Sequence, residues 1–294
     1  MTGSENHHLL DIHNLDVSFD QHKGIAHALR GIDLCLKSAE IHALVGESGS
    51  GKTVTSMCVM GLLSTPPCRV NGGEIIFQGR NLLRLSENDR RKVRGKDIGM
   101  IFQEPGKYLN PAYKIGEQIT ETLILHFNMT RKSAVARALE FLNLVGLGKN
   151  KRVLNSYPHE LSGGMKQRAM IAMSVACHPA LLIADEPTTA LDVTLQLQIL
   201  KLIQNLKDKF SMGVLFISHD LGVVKEIAER TSVIYAGKIV ESATRQQLFE
   251  NPIHPYTKLL LLSIPDAAKR GTRLRAIPGT VPDAENIPGG CSFH

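Results

Sequence analysis

One segment limits what this chain can fold into more than any other: Gly46-x-x-x-x-Gly51-Lys52-Thr53, set between the apolar run Glu40 to Val45 and the helix-like VTSMCVMGLL. Such glycines let the backbone curl until successive N–H groups and the N-terminus of the next helix face a phosphate chain. Lys52 then places a point charge on the β/γ-phosphates, and Thr53 offers its hydroxyl to Mg2+. A Gly-rich turn before a helix, with no ligand, is the competing reading. The strand pattern before the loop and the helix pattern after it favour the phosphate site.

The rest of the chain has the alternation that such a loop requires. Leu9 to Phe19 alternates apolar and polar residues as a half-buried strand does, and Ala28 to Leu36, Gly72 to Phe77 and Ile98 to Phe102 read as further strands. Arg80 to Lys96, the basic stretch between the last two, reads as a solvated face. Helical patterns then dominate: Ile115 to Phe127, and Thr130 to Val145 with Thr130 as N-cap and Gly146 just past the end. After Tyr157-Pro158 come a helix (Gly164 to Cys177), a buried strand (Ala180 to Ala184), a helix (Thr194 to Phe210), a strand (Gly213 to Ser218), a helix (Leu221 to Arg230) and a strand (Thr231 to Tyr235). Strands alternating with helices predict an α/β fold with a mainly parallel sheet covered on both faces. The domain expectation is a core in two parts, residues 1–103 and 163–236, a helical insertion at 104–162, and an extension at 237–294. That extension, with its basic cluster Lys269, Arg270, Arg273 and Arg275, reads as a peripheral appendage.

Composition removes several function classes. At 294 residues, 43% hydrophobic and 21% charged, the chain is an ordinary globular protein rather than a disordered one. No stretch approaches the roughly 18 apolar residues of a membrane span. The start, MTGSENHHLLD, lacks a basic region and an apolar core, so a cytoplasmic location is expected. The net charge of +6 suits phosphate-rich ligands or an anionic membrane surface. With no Trp and 5% aromatics a base-stacking platform is disfavoured, and no nucleic-acid partner is expected. The five cysteines, Cys35, Cys58, Cys68, Cys177 and Cys291, contain no C-x-x-C and read as reduced, mostly buried thiols.

Two more segments carry chemistry. The run from Ala180 ends in Asp185-Glu186. Asp185 is placed to hold Mg2+, directly or through water, since this ion keeps several waters. Glu186, one residue nearer the open edge, is placed to polarise a water in line with the γ-phosphate. Leu161-Ser162-Gly163-Gly164-Met165-Lys166-Gln167-Arg168 opens a helix with Ser162 as N-cap. Taken alone it is an ordinary cap; with a phosphate nearby it is a second phosphate-binding helix end.

Taken together, these segments resemble the ATP-binding cassette ATPases. Phe102-Gln103-Glu104-Pro105, LSGGMKQR, LLIADEPT, Ala190-Leu191-Asp192 and Ile217-Ser218-His219-Asp220 fall in that family's order, and the resemblance covers nearly the whole chain. It implies a RecA-like P-loop core with an N-terminal antiparallel β part and an inserted helical subdomain. It also implies an ATP-hydrolysing subunit that uses Mg2+. Gly46, Glu47, Ser48, Gly49, Ser50, Gly51, Lys52, Thr53 and Val54 would bind ATP, with Phe19 stacked on adenine. Thr53, Gln103 and Asp185 would serve Mg2+, and Glu186, His219 and Gln103 catalysis. Ser162, Gly163, Gly164 and Met165 would form the signature acting on a partner's ATP, and Asp192 would join the two protomers. Taken alone, Phe19 is equally a core strand aromatic, and His219 a cap of the next helix.

The resemblance narrows along Glu47 to Thr53, along Ala184 to Thr194, and along Asn251-Pro252-Ile253-His254-Pro255-Tyr256-Thr257 to the dipeptide/oligopeptide branch of bacterial importers, which includes nickel importers. This branch implies a second ATPase subunit (a paralogue), two membrane permease subunits, an extracytoplasmic binding protein, and a peripheral position on the cytoplasmic face of the inner membrane. Its C-terminal extension runs through Ile277-Pro278-Gly279 and Pro288 to Phe293 into a four-cysteine iron–sulfur site. Here only Cys291 is present before the sequence ends at His294, and metal sites want about four ligands. Cys291 would therefore be a cluster ligand only in a longer chain. Met165, where many cassettes have Gln, and Ala39, where a turn glycine is usual, are the other departures. A soluble cassette protein acting on nucleic acid or ribosomes usually has two cassettes or long coiled-coil arms, and this chain shows neither. A regulator without turnover is disfavoured because Glu186 and His219 are both present.

Overall fold

The structure is a computed structural model that describes residues 8–21, 24–148, 151–189, 191–264, 277, 280–285 and 287–293. Ala190, His294 and the basic cluster Lys269, Arg270, Arg273 and Arg275 lie outside the described residues. Contacts divide the chain into two compact units, residues 1–84 with 215–294, and residues 85–214.

In chain order the first unit begins with β1 (Leu10–Gln21), β2 (Gly24–Leu36), β3 (Ile41–Val45), α1 (Lys52–Met60), β4 (Cys68–Phe77) and β5 (Arg80–Asn81). The second unit holds α2 (Glu87–Val93), β6 (Ile98–Ile101), α3 (Pro105–Tyr108), α4 (Ile115–Phe127), α5 (Arg131–Leu144), α6 (Lys151–Asn155), α7 (Gly163–Val175), β7 (Leu181–Asp185) and α8 (Val193–Phe210). The chain returns through β8 (Gly213–Ser218) to α9 (Leu221–Ile227), β9 (Arg230–Tyr235), β10 (Lys238–Thr244), α10 (Arg245–Glu250) and α11 (Pro255–Leu262).

Within the first unit, β2-β1-β4-β5 form an antiparallel sheet, and β10-β9-β3-β8 are neighbours in a second one. There β3 and β9 run parallel, while β10 is an antiparallel addition to β9. Strands β3 and β8 are buried at every residue, as strands covered on both faces must be. In the second unit β6 and β7 pair in parallel, Ile98 opposite Leu181 and Ile101 opposite Ala184. The α/β class with an antiparallel N-terminal sheet and a mixed, mainly parallel core is the expected one. Thr130 caps α5, its hydroxyl accepting from the Ser133 N–H, and Gly146 beyond the helix takes φ 80. Ala39 takes φ 56, so the turn keeps the left-handed conformation that a glycine would favour and an alanine adopts only at a cost.

The stretch after Gly237 is not a peripheral appendage, and that expectation is corrected for residues 238–264. β10 belongs to the sheet, and Tyr256 in α11 is fully buried. Ile253 and His254 donate their N–H groups to the Glu241 carboxylate of β10, at 2.8 and 3.0 Å, which fixes the start of α11.

His42, inside β3 opposite Arg230 of β9, carries a consequence for stability. It is 1% exposed, and its Nε2 lies 2.8 Å from the Ser232 Oγ. Burial, and then the Arg230 charge, push its pKa down to about 4 from the ordinary 6.5. Between those values the unfolded chain binds a proton that the folded chain refuses, so stability falls as pH drops through that window. Between pH 7 and 5 this one group should cost on the order of 2 kcal/mol, read from denaturant midpoints. The variant His42→Gln should lose that share of the pH dependence. An unaltered slope in the variant would place the acid sensitivity elsewhere.

Candidate functional site

The loop after β3 leaves no room for a side chain at two of its glycines. A Cβ at Gly46 would strike the Ile234 carbonyl oxygen, and one at Gly51, which takes φ 111, would meet Leu29 Cδ2 at 2.7 Å and the Ala28 oxygen at 2.9 Å. Gly51 then caps α1 without any side chain. Lys52, the first residue of that helix, is 5% exposed, and its Nζ donates to the Gly46 and Glu47 carbonyls at 2.7 and 2.8 Å. Ser50 is fully buried, and its hydroxyl has no hydrogen-bond partner among the described residues. Thr53, Ser48 and Gly49 are exposed, while Glu47, Val54 and Phe19 are half-buried. A buried hydroxyl with no partner among the described residues, a helix N-terminus and a buried ammonium at the start of that helix fit a phosphate chain.

The first unit also holds His219, exposed immediately after β8. It is not the cap of the next helix. Asp220 is, accepting from the Gly222 and Val223 N–H groups at 2.8 and 3.3 Å.

In the second unit β7 is buried throughout and ends at Asp185, 4% exposed. Glu186 then takes φ 46, uncommon for a residue with a side chain, and turns the chain out of the strand. Its Oε2 accepts from Gln103 Nε2 at 2.8 Å and from Thr189 Oγ1 at 3.0 Å. Gln103 follows β6, the parallel neighbour of β7, so the sheet itself brings these two residues together. Ser162 caps α7, accepting from the Met165 N–H at 3.4 Å. Gly163 is exposed and a Cβ there would meet nothing within 4 Å, whereas one at Gly164 would lie 3.3 Å from Leu195 Cδ1. Asp192 is exposed and caps α8 through the Leu195 N–H at 2.9 Å.

The oxygen donors Thr53 and Asp185 have the hard-ligand chemistry that Mg2+ takes. An iron–sulfur cluster does not fit the residues present. Cys291 is exposed, and among the described residues no group of three or more His, Cys, Asp or Glu is placed to hold a metal.

Three side chains have partners that sequence reasoning does not assign, two in the second unit and one in the first. Thr189 shares the Glu186 carboxylate with Gln103. Gln167, 2% exposed, ties α7 to the segment after β7 by donating to the Pro187 carbonyl at 2.7 Å. Tyr256 accepts the Glu47 N–H of the glycine loop at 3.1 Å from 209 positions away, a pairing with no local signal.

Comparison with known proteins places the chain in a family. Residues 29–189 match the family described as ABC transporter, and residues 240–294 the oligopeptide/dipeptide transporter C-terminal region. The chain is 51% identical over 286 residues to the probable peptide ABC transporter ATP-binding protein y4tR of Sinorhizobium fredii, covering 97% of this chain and 85% of that one. It is 50% identical to the oligopeptide transport ATP-binding protein OppD of Bacillus subtilis, covering 97% and 80%. Among solved structures, the dimeric bacterial ABC transporter cassette MJ0796 superimposes with a TM-score of 0.72 at 27% identity, over 80% of this chain and 98% of that one. A post-hydrolysis state of the same cassette bound to ADP and Pi gives 0.71 at 27% identity, with the same coverage.

Proposed function

The chain belongs to the ABC transporter ATP-binding proteins of the oligopeptide/dipeptide family, and on that footing we propose how its residues divide the work of an ATP-driven peptide importer. The subunit hydrolyses ATP and couples hydrolysis to transport. Gly46 to Val54 hold the phosphates through backbone N–H groups, the Ser50 hydroxyl and the Lys52 ammonium, and Phe19 offers its ring to the base. Thr53 and Asp185, with Gln103, hold Mg2+, which when bound neutralises charge on the phosphates. Glu186 accepts a proton from the attacking water, Gln103 and Thr189 fix its carboxylate, and His219 contacts the γ-phosphate. Ser162, Gly163, Gly164 and Met165 serve the nucleotide of a second cassette, with Asp192 at the contact between the two.

Cassettes of this family dimerise. The second one here is a paralogue, and the pair works with two membrane permease subunits and an extracytoplasmic binding protein at the cytoplasmic face of the inner membrane. Among the described residues no helix is long and apolar enough to cross a membrane. The cargo is di- or oligopeptide, in keeping with the transport named for the relatives and with the match over residues 240–294.

The observation that carries the nucleotide reading is the Gly46–Thr53 loop, folded with its lysine buried and the Ser50 hydroxyl unpartnered among the described residues. Lys52→Ala should weaken ATP binding by about 30-fold, the worth of a charge-assisted contact of roughly 2 kcal/mol. Equilibrium titration of the full chain with ATP and Mg2+ measures it. An unchanged affinity would reduce the loop to a turn.

A further inference from the structure

The first residues of the phosphate loop are gripped from two sides. The Lys52 ammonium takes the Gly46 carbonyl at 2.7 Å, and the Tyr256 hydroxyl takes the Glu47 N–H at 3.1 Å. Those two groups belong to one peptide unit, and in a trans peptide the C=O and N–H point in opposite directions. The plane of the Gly46–Glu47 peptide is thus pinned between a lysine on one face of the loop and a tyrosine on the other. Tyr256 is itself immobilised. It is fully buried, its ring lies 4.5 Å from Tyr235 and 5.3 Å from Phe293 between centroids, and the segment before it is clamped by the Glu241 carboxylate. The tail that carries Phe293 is tied down in turn, since Arg30 donates to the Ser292 hydroxyl at 2.9 Å and the His27 N–H to the Ala284 carbonyl at 2.9 Å.

We propose that Tyr256 is a positioning residue for the nucleotide site: the C-terminal extension reaches the phosphate loop through its hydroxyl and holds the Gly46–Glu47 peptide in the orientation that ATP binding requires. This rests on the reading of Gly46–Thr53 as the ATP loop. Without the hydroxyl the Glu47 N–H has to turn to find another partner, and the Gly46 carbonyl turns with it. The loop then spends only part of its time in the competent shape, and apparent affinity falls by that fraction. Once ATP is bound the loop is held by the phosphates, and the chemical step is unaffected.

Tyr256→Phe keeps the ring and removes only the hydroxyl. The expected result is ATP affinity about fivefold weaker for the full chain, and in the assembled transporter a KM for ATP raised by about the same factor with kcat within about twofold. Tyr235→Phe removes a hydroxyl from the neighbouring ring that makes no bond to the loop, and should bind ATP as the unsubstituted chain does. Equal affinity in Tyr256→Phe and the unsubstituted chain would overturn the proposal. Equal weakening by both variants would also overturn it, since the cluster would then act only by packing. If the unsubstituted chain itself bound no ATP, the reading of the loop would fall first and this proposal with it.

Discussion

Glu186→Gln should lower ATP turnover of the assembled transporter by about two orders of magnitude or more, the usual worth of a positioned general base, while nucleotide binding persists. The structure shows why the substitution is a clean one. Glu186 Oε2 receives both Gln103 Nε2 and Thr189 Oγ1. Those two donors require an oxygen, so in the variant the amide oxygen takes that position and the NH2 takes the other. The bonds from Gln103 and Thr189 and the φ of 46 are kept, but an amide in place of the carboxylate cannot accept a proton from water. ATP should then hold two cassettes in a closed pair. Single-turnover hydrolysis and ATP titration separate the two effects. Turnover at the unsubstituted rate would remove Glu186 from the chemistry.

What was legible in advance follows the range over which each signal acts. The helix Ile115–Phe127 and the strand Gly213–Ser218 have the expected bounds, because periodicity and turn residues mark them locally. The expected helix from Leu221 to Arg230 stops instead at Ile227. Arg230 already pairs with His42 as the first residue of β9, and sheet pairing outweighs a helical pattern of a few residues. β2 starts at Gly24 rather than Ala28 because the end of β1 reaches Gln21 and extends the hairpin.

The same division runs through the site. The placement of Lys52 and Thr53 at the start of α1, and of Asp185 at the end of β7, is readable because local strand and helix patterns mark both. The convergence of Gln103 and Thr189 on Glu186 depends on a left-handed residue and a parallel strand pairing 83 positions apart, and neither has a pattern in one sequence. The extension was misread for a related reason. A polar, Pro-containing stretch looks peripheral until Tyr256 is seen to be fully buried with its hydroxyl on the Glu47 N–H.

Gly163→Asp should abolish ATP-driven pairing and turnover in the assembled transporter while leaving ATP affinity of the isolated chain unchanged. Steric and folding explanations are removed beforehand by the position. A Cβ at Gly163 meets nothing within 4 Å, unlike Gly164, whose Cβ would press on Leu195 Cδ1 at 3.3 Å. Gly163 is also the first residue of α7 after its Ser162 cap, where a carboxylate is favourable to the helix. The variant chain should therefore fold at least as well as the original, and Gly46 to Thr53 are untouched. What changes is the charge at an exposed helix N-terminus proposed to meet the γ-phosphate of a second cassette. Two unit charges about 4 Å apart repel by about 4 kcal/mol at an effective dielectric of about 20, enough to cancel any attraction of that helix end for phosphate. The decisive quantity is nucleotide affinity of the isolated variant. A large loss there would mean that Ser162 and Gly163 act on the nucleotide of their own chain, and the two-cassette site would have to be given up.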